Sequence, residues 1–109
     1  MQYLILIHSS EAAWEGLSPA EMERGMGAFR AYADALVAAG KNVASSQLAP
    51  AGAARNISAR GVLDGPYVDI KEQLGGFYLI EVADEAEALE WAKKCPGVHY
   101  GGVELRKCI

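Results

Sequence analysis

No run of lysine or arginine occurs anywhere in this chain. Its 10 basic residues are scattered among 14 acidic ones and leave a net charge of −4. Nucleic-acid binding depends on neutralising many phosphates with a basic patch, so no nucleic-acid partner is expected. Long apolar stretches are missing too. The opening run Tyr3 to Ile7 has no basic residue before it and is too short for a signal peptide or a membrane span, so no membrane partner is expected. Cysteine is scarce: Cys95 and Cys108 lie far apart without a CxxC, which suits reduced thiols in a cytoplasmic protein, although spacing leaves a disulfide open. The two histidines, His8 and His99, show no HxH, HxxxH or Cys/His spacing, so neither a metal nor another cofactor is expected. Nucleophile elbow, P-loop and dinucleotide fingerprints are all absent.

What is present describes one domain over residues 1–109, half of it apolar, which is ordinary globular composition. The apolar Gln2 to His8 segment reads as a central strand. Ser18-Pro19-Ala20-Glu21 reads as a capping box opening a helix, with Met22, Met26, Phe29, Ala33, Leu36 and Val37 on one face and Gly40 as the stop. Gly25 and Gly27 weaken that helix unless they permit close packing against the sheet. Asn42 to Leu48 and Phe77 to Val82 read as strands, Asp84-Glu85-Ala86-Glu87 opens a second helix that Pro96-Gly97 ends, and Gly102 to Lys107 is a last strand. An insertion from about 49 to 74 holds a small hairpin, Arg55 to Ser58 with Val62-Leu63. Strand–helix–strand twice over predicts a ferredoxin-like split βαβ α+β sandwich, with helices on one sheet face only. The other face carries apolar residues and calls for a cover, most simply a second copy of the chain in a homodimer.

This topology sets the last strand antiparallel beside the first. His8, His99 and the insertion then share one end of the sheet, bringing Asp64, Asp69, Lys71 and Glu72 within reach of the histidines. A histidine beside a carboxylate moves protons near neutral pH, because the carboxylate fixes its tautomer. Each of these residues also has a plainer role open to it. His8 ends a strand, His99 sits in a loop, Asp64 fixes a turn and Lys71-Glu72 is a solvated pair. Trp14, at the same end, lines a pocket or anchors a loop, and Tyr67 and Tyr78 either offer hydroxyls or bury their rings. Gly75-Gly76 reads as a bulge or strand-start hinge rather than a phosphate loop.

Asp64-Gly65-Pro66-Tyr67, then Lys71-Glu72-Gln73-Leu74-Gly75-Gly76-Phe77, and finally Glu104-x-Arg106 together resemble the YCII-related domain family, in the subgroup named for an Asp-Gly-Pro-Phe motif. Tyr67 stands where that motif has Phe. The resemblance covers nearly the whole chain and implies a dimeric α+β barrel, with no single established reaction. A His–Asp pair has been proposed for the wider family, the His following Pro-Ala in the first helix and the Asp preceding a Pro after the second. Here Glu21 follows Pro19-Ala20 and Cys95 precedes Pro96, so neither residue carries over. Three functions fit: a small-molecule pocket with cofactor-independent acid–base chemistry using His8, His99, Asp64 and Glu72, lined by Trp14, Tyr67, Asp69, Lys71 and Tyr78; a non-catalytic binding or regulatory module, since subgroup relatives are often linked with sigma-factor-like regulators; or a structural dimer without a ligand.

Overall fold

A computed structural model describes residues 1–109. Six strands and three helices follow in order: β1 (Gln2–Ser10), α1 (Glu11–Glu15), α2 (Pro19–Ala38), β2 (Asn42–Gln47), β3 (Arg55–Ser58), β4 (Gly61–Asp64), β5 (Glu72–Glu81), α3 (Glu85–Lys94) and β6 (Gly101–Lys107). Single 3-10 turns occupy Ala51–Ala53 and Pro96–His99. The main sheet has the order β2-β5-β1-β6 with every neighbour antiparallel, which is the ferredoxin-like arrangement.

Alternation along the strands divides the sheet into two unlike faces. Tyr3, Ile5 and Ile7 of β1 and Tyr78 and Ile80 of β5 are buried against Tyr32 and Leu36 of α2 and Ala88 and Ala92 of α3. Both long helices therefore cover the same face. Leu4, Leu6 and His8 point the other way and remain half-buried, as do Phe77 and Leu79. The protein is 17 Å thick along its short axis, the depth of one sheet and one helix layer.

The helix boundaries follow local chemistry. Ser18 accepts a hydrogen bond from the Glu21 amide while the Glu21 carboxylate accepts one from the Ser18 amide, completing the capping box. Gly40, at φ 71°, takes the chain out of α2 in a conformation side chains disfavour. Asp84 caps α3 through the Glu87 amide.

Three features depart from the pattern read in the sequence. The helix α1 was not visible there; Ser10, buried at the end of β1, caps it through the Ala13 amide. Strand β5 begins at Glu72 rather than Phe77, and Gly75-Gly76 lies within it. The register passes from Ile7↔Gly76 to His8↔Leu74, leaving Gly75 as the extra residue of a bulge. On α2 the buried positions are Tyr32 and Leu36, whereas Val37 is 63% exposed, because the helix crosses the sheet with its 25–32–36 line inward.

Strands β3 and β4 form a separate hairpin, pairing Arg55↔Asp64 and Ile57↔Val62. The Asp64-Gly65-Pro66 turn that follows holds Gly65 at φ 103°. No helix is long and apolar enough to cross a membrane.

Candidate functional site

A cleft of about 460 Å³ lies between α2 and the helix-covered face of the sheet. Met22, Met26, Phe29 and Ala33 form its α2 wall at helical spacing. Trp14 of α1 closes one end, and the Leu48-Ala49-Pro50 segment after β2 closes the other side. The floor is sheet. Ile7 and Ser9 of β1, Gly76 and Tyr78 of β5, and Ser45 and Gln47 of β2 all turn to this face, as the pairs Ile7↔Gly76, Ser45↔Tyr78 and Gln47↔Gly76 require. The cleft is thus apolar and aromatic above, with a row of uncharged polar side chains below.

Two glycines make room for it. A Cβ on Gly25 would stand 2.8 Å from the Trp14 ring, so only glycine lets the indole lie directly on α2. Tyr100 stacks on that indole with ring centroids 4.5 Å apart, and Phe29 lies 6.2 Å from it. Trp14 is therefore a fixed wall rather than a swinging ring. On the floor, a Cβ on Gly76 would come within 3.0 Å of the Ser46 carbonyl, so the β2–β5 approach depends on its absence. The backbone of Gly76 does not take positive φ.

Ser9 is the notable polar group. It is only 9% exposed, its hydroxyl lies beside Gly75 on the cleft floor, and it makes no hydrogen bond within the chain. The hydroxyl faces the cleft with no partner inside the protein, which leaves it free to bond water or a ligand there. Tyr78, by contrast, is already occupied: its hydroxyl donates to the Phe29 carbonyl at 3.4 Å, and burial pushes its pKa up to about 12. Glu11, at the mouth, accepts from the Ala51 amide at 2.6 Å and so ties α1 to the turn on the opposite wall. Arg30, also at the mouth, is paired with Glu23 at 3.2 Å.

The residues singled out from the sequence distribute around this cleft rather than inside it. His8 and His99 do lie at the same end of the sheet: His8 pairs with Gly102, and His99 ends the turn just before β6. They occupy different surroundings there. His8 turns to the open face, where its Nε2 lies 3.2 Å from Glu104, and Arg106 holds the other Glu104 oxygen at 2.6 Å. Those bonds, Arg106 first and then His8, lower the Glu104 pKa. The carboxylate beside His8 is therefore Glu104, where the sequence led to Asp64, Asp69 or Glu72 near at least one of the two histidines. The sequence signal for it was the strand alternation of β6, which put Glu104 and Arg106 on one face.

His99, Glu72, Lys71 and Trp14 line a second, smaller depression beside the cleft, with the Trp14–Tyr100 stack between the two. Asp64 instead sits on the hairpin, 3.4 Å from Arg55, and Tyr67 is 86% exposed and lines neither cavity. Asp69 is exposed and lines neither one. These two loop residues follow a hairpin that reaches out from the sheet, a geometry that no local pattern encodes. Of the expected pocket residues, Trp14 and Tyr78 do line the cleft. Ser9 and the Met22–Met26 wall went unnoticed as site residues because a lone serine and a core-like methionine stripe carry no motif.

The whole chain, residues 1–109, matches the YCII-related domain family. An uncharacterized protein of Rhizobium meliloti (strain 1021) is 37% identical over 97 residues, spanning 85% of this chain and 78% of that protein. Among solved structures, the fold is similar to 5-chloro-2-hydroxyhydroquinone dehydrochlorinase from Burkholderia phenoliruptrix AC1100, in complex with 2,5-dihydroxybenzoquinone. That match has a TM-score of 0.61 at 16% identity and covers 100% of this chain and 94% of the other.

Proposed function

We propose that this chain, which belongs to the YCII-related domain family, binds a small organic molecule in the cleft between α2 and the sheet. The observation that carries this reading is Ser9, whose hydroxyl has no partner within the chain and lies on the polar floor of a cleft roofed by apolar side chains. The rigid Trp14 wall supports it, since a preformed pocket binds without first ordering its own side chains. A screen of small ring compounds by thermal shift tests the reading, using wild type and Ser45→Trp, which fills the cleft from its floor on the exposed strand β2. Stabilising hits should be lost in Ser45→Trp. Hits that survive it would place binding elsewhere.

A second reading is acid–base catalysis, favoured by His99 and Glu72 sharing the depression next to Trp14. Here His99 is the base, Lys71 and Glu72 position it, and His8 with Glu104 is a further proton-transfer pair on the open face. The fold relative is an enzyme that acts on a ring compound, which is compatible with this chemistry. Asp64 on the hairpin, and Tyr67 and Asp69 on the loop after it, join such a site only through movement of those segments. Single-turnover assays of wild type and His99→Ala on enolisable ring substrates separate this reading from simple binding.

The protein works as a homodimer in either reading. Leu4, Leu6, Phe77 and Leu79 give the open sheet face an apolar centre, and a second copy of the same face is its simplest cover.

A further inference from the structure

The walls of the cleft specify more than its size. Its roof is thioether and aromatic: Met22, Met26, Phe29 and Trp14. Its floor offers three uncharged polar side chains, Ser9, Ser45 and Gln47, and none of them makes a side-chain hydrogen bond within the chain. Charge is confined to the mouth. Glu11 and Glu15 are acidic, and the one cation there, Arg30, already holds Glu23. An anion entering would meet two carboxylates against a single guanidinium that already pairs with Glu23, and it would lose its hydration against the apolar roof. A full positive charge would meet no carboxylate on the floor, where the polar contacts are. What the surfaces complement is a molecule with two flat apolar faces, no net charge, and an edge carrying hydroxyl or carbonyl groups.

Resting on the cleft being the binding site, we infer that its ligand is an uncharged planar ring compound whose hydroxyl or carbonyl edge bonds to Ser9 and Gln47 while Met26 and Trp14 enclose the ring. Ser9 exchanges bonds with that edge as both donor and acceptor, which a hydroxyl allows and a charged side chain does not. Gly75 and Gly76 keep the floor free of side chains next to Ser9, leaving the edge room to reach it.

Three probes with one ring system and different charge separate the possibilities: 2-naphthol, neutral at pH 7; 2-naphthoate, an anion; and 2-(aminomethyl)naphthalene, a cation. Each is titrated calorimetrically into wild type, Ser9→Ala and Gln47→Ala. The expected order is 2-naphthol tightest, by roughly tenfold over either ion. Ser9→Ala should weaken 2-naphthol by roughly tenfold, the worth of one hydrogen bond to the ligand, and leave the ions unchanged. Gln47→Ala, at an exposed position where folding is not at stake, should weaken it by a smaller factor in the same direction. Tighter binding of either ion, no binding by any of the three, or indifference of 2-naphthol to both substitutions overturns the inference. The cleft reading is judged separately, by whether Ser45→Trp abolishes the screening hits.

Discussion

Gly25 and Trp14 are fitted to each other: the indole occupies the space where a side chain on Gly25 would be, 2.8 Å from where its Cβ would stand. The contact explains why α2 tolerates a glycine in its second turn. It also sets the shape of the cleft, because an indole pushed off α2 would lose its stack on Tyr100 and move the end wall.

Gly25→Ala is therefore expected to destabilise the fold by about 1–3 kcal/mol through overpacking, although alanine alone would favour the helix by about 1 kcal/mol. Gly27→Ala is the control, since its Cβ would meet nothing closer than the Arg30 guanidinium at 4.0 Å. It should stabilise by up to about 1 kcal/mol. Denaturant midpoints of the two variants should move in opposite directions.

That contrast shows what the chain's residues reveal alone and what they do not. The strand–helix order, both helix caps and the hairpin were legible because each has a local cause: alternation, Ser18 with Glu21, and turn residues around Gly61. Gly25 and Gly27 look alike in sequence, yet one faces Trp14 and the other is open. Only the packing of α1 on α2 distinguishes them, and α1 is too short to announce itself by periodicity. The site was partly legible for a related reason. Topology places His8 and His99 at one end, but the side each turns to depends on strand parity for His8 and on the 3-10 turn Pro96–His99 for His99.

Ser18→Ala removes the N-cap of α2 and should cost about 1 kcal/mol. Its partner bonds are exposed and lie away from the cleft floor. Ligand affinity should be unchanged, so a binding titration on the variant checks both halves.

Acid should destabilise the protein partly through Glu87. Bonds from Lys41 at 2.8 Å and from the Ala83 amide hold its pKa below the ordinary value of 4.5. A carboxylate with a depressed native pKa contributes stability above its unfolded value, and that contribution disappears as pH falls through the native value. Glu87→Gln should accordingly lower the denaturant midpoint at pH 7, with the difference shrinking below pH 4.5. A difference that persists unchanged in acid would assign the effect to packing instead.

Gly76→Val should cost on the order of 1–3 kcal/mol, since its side chain would press on the Ser46 carbonyl and force β2 away from β5. An unchanged midpoint would mean that β2 yields freely.

Leu6→Glu places a charge in the middle of the open sheet face without touching the core on the other side. Wild type should sediment as a dimer at micromolar concentration, with an interface of at least roughly 1,000 Å². The variant should sediment as a folded monomer. A monomeric wild type would remove the second copy from the account.

The three methionines give the most direct test of the cleft as the binding site. Met22 and Met26 line it, while Met1 sits at the far end of β1, its amino group bonded to the Val82 carbonyl. With the methionine methyl groups isotopically labelled, a ring compound selected by the thermal-shift screen is titrated and all three methyl resonances are followed. Shifts of Met22 and Met26, with Met1 unmoved, are the predicted result. Saturating binding that leaves Met22 and Met26 in place would contradict the assignment of the cleft.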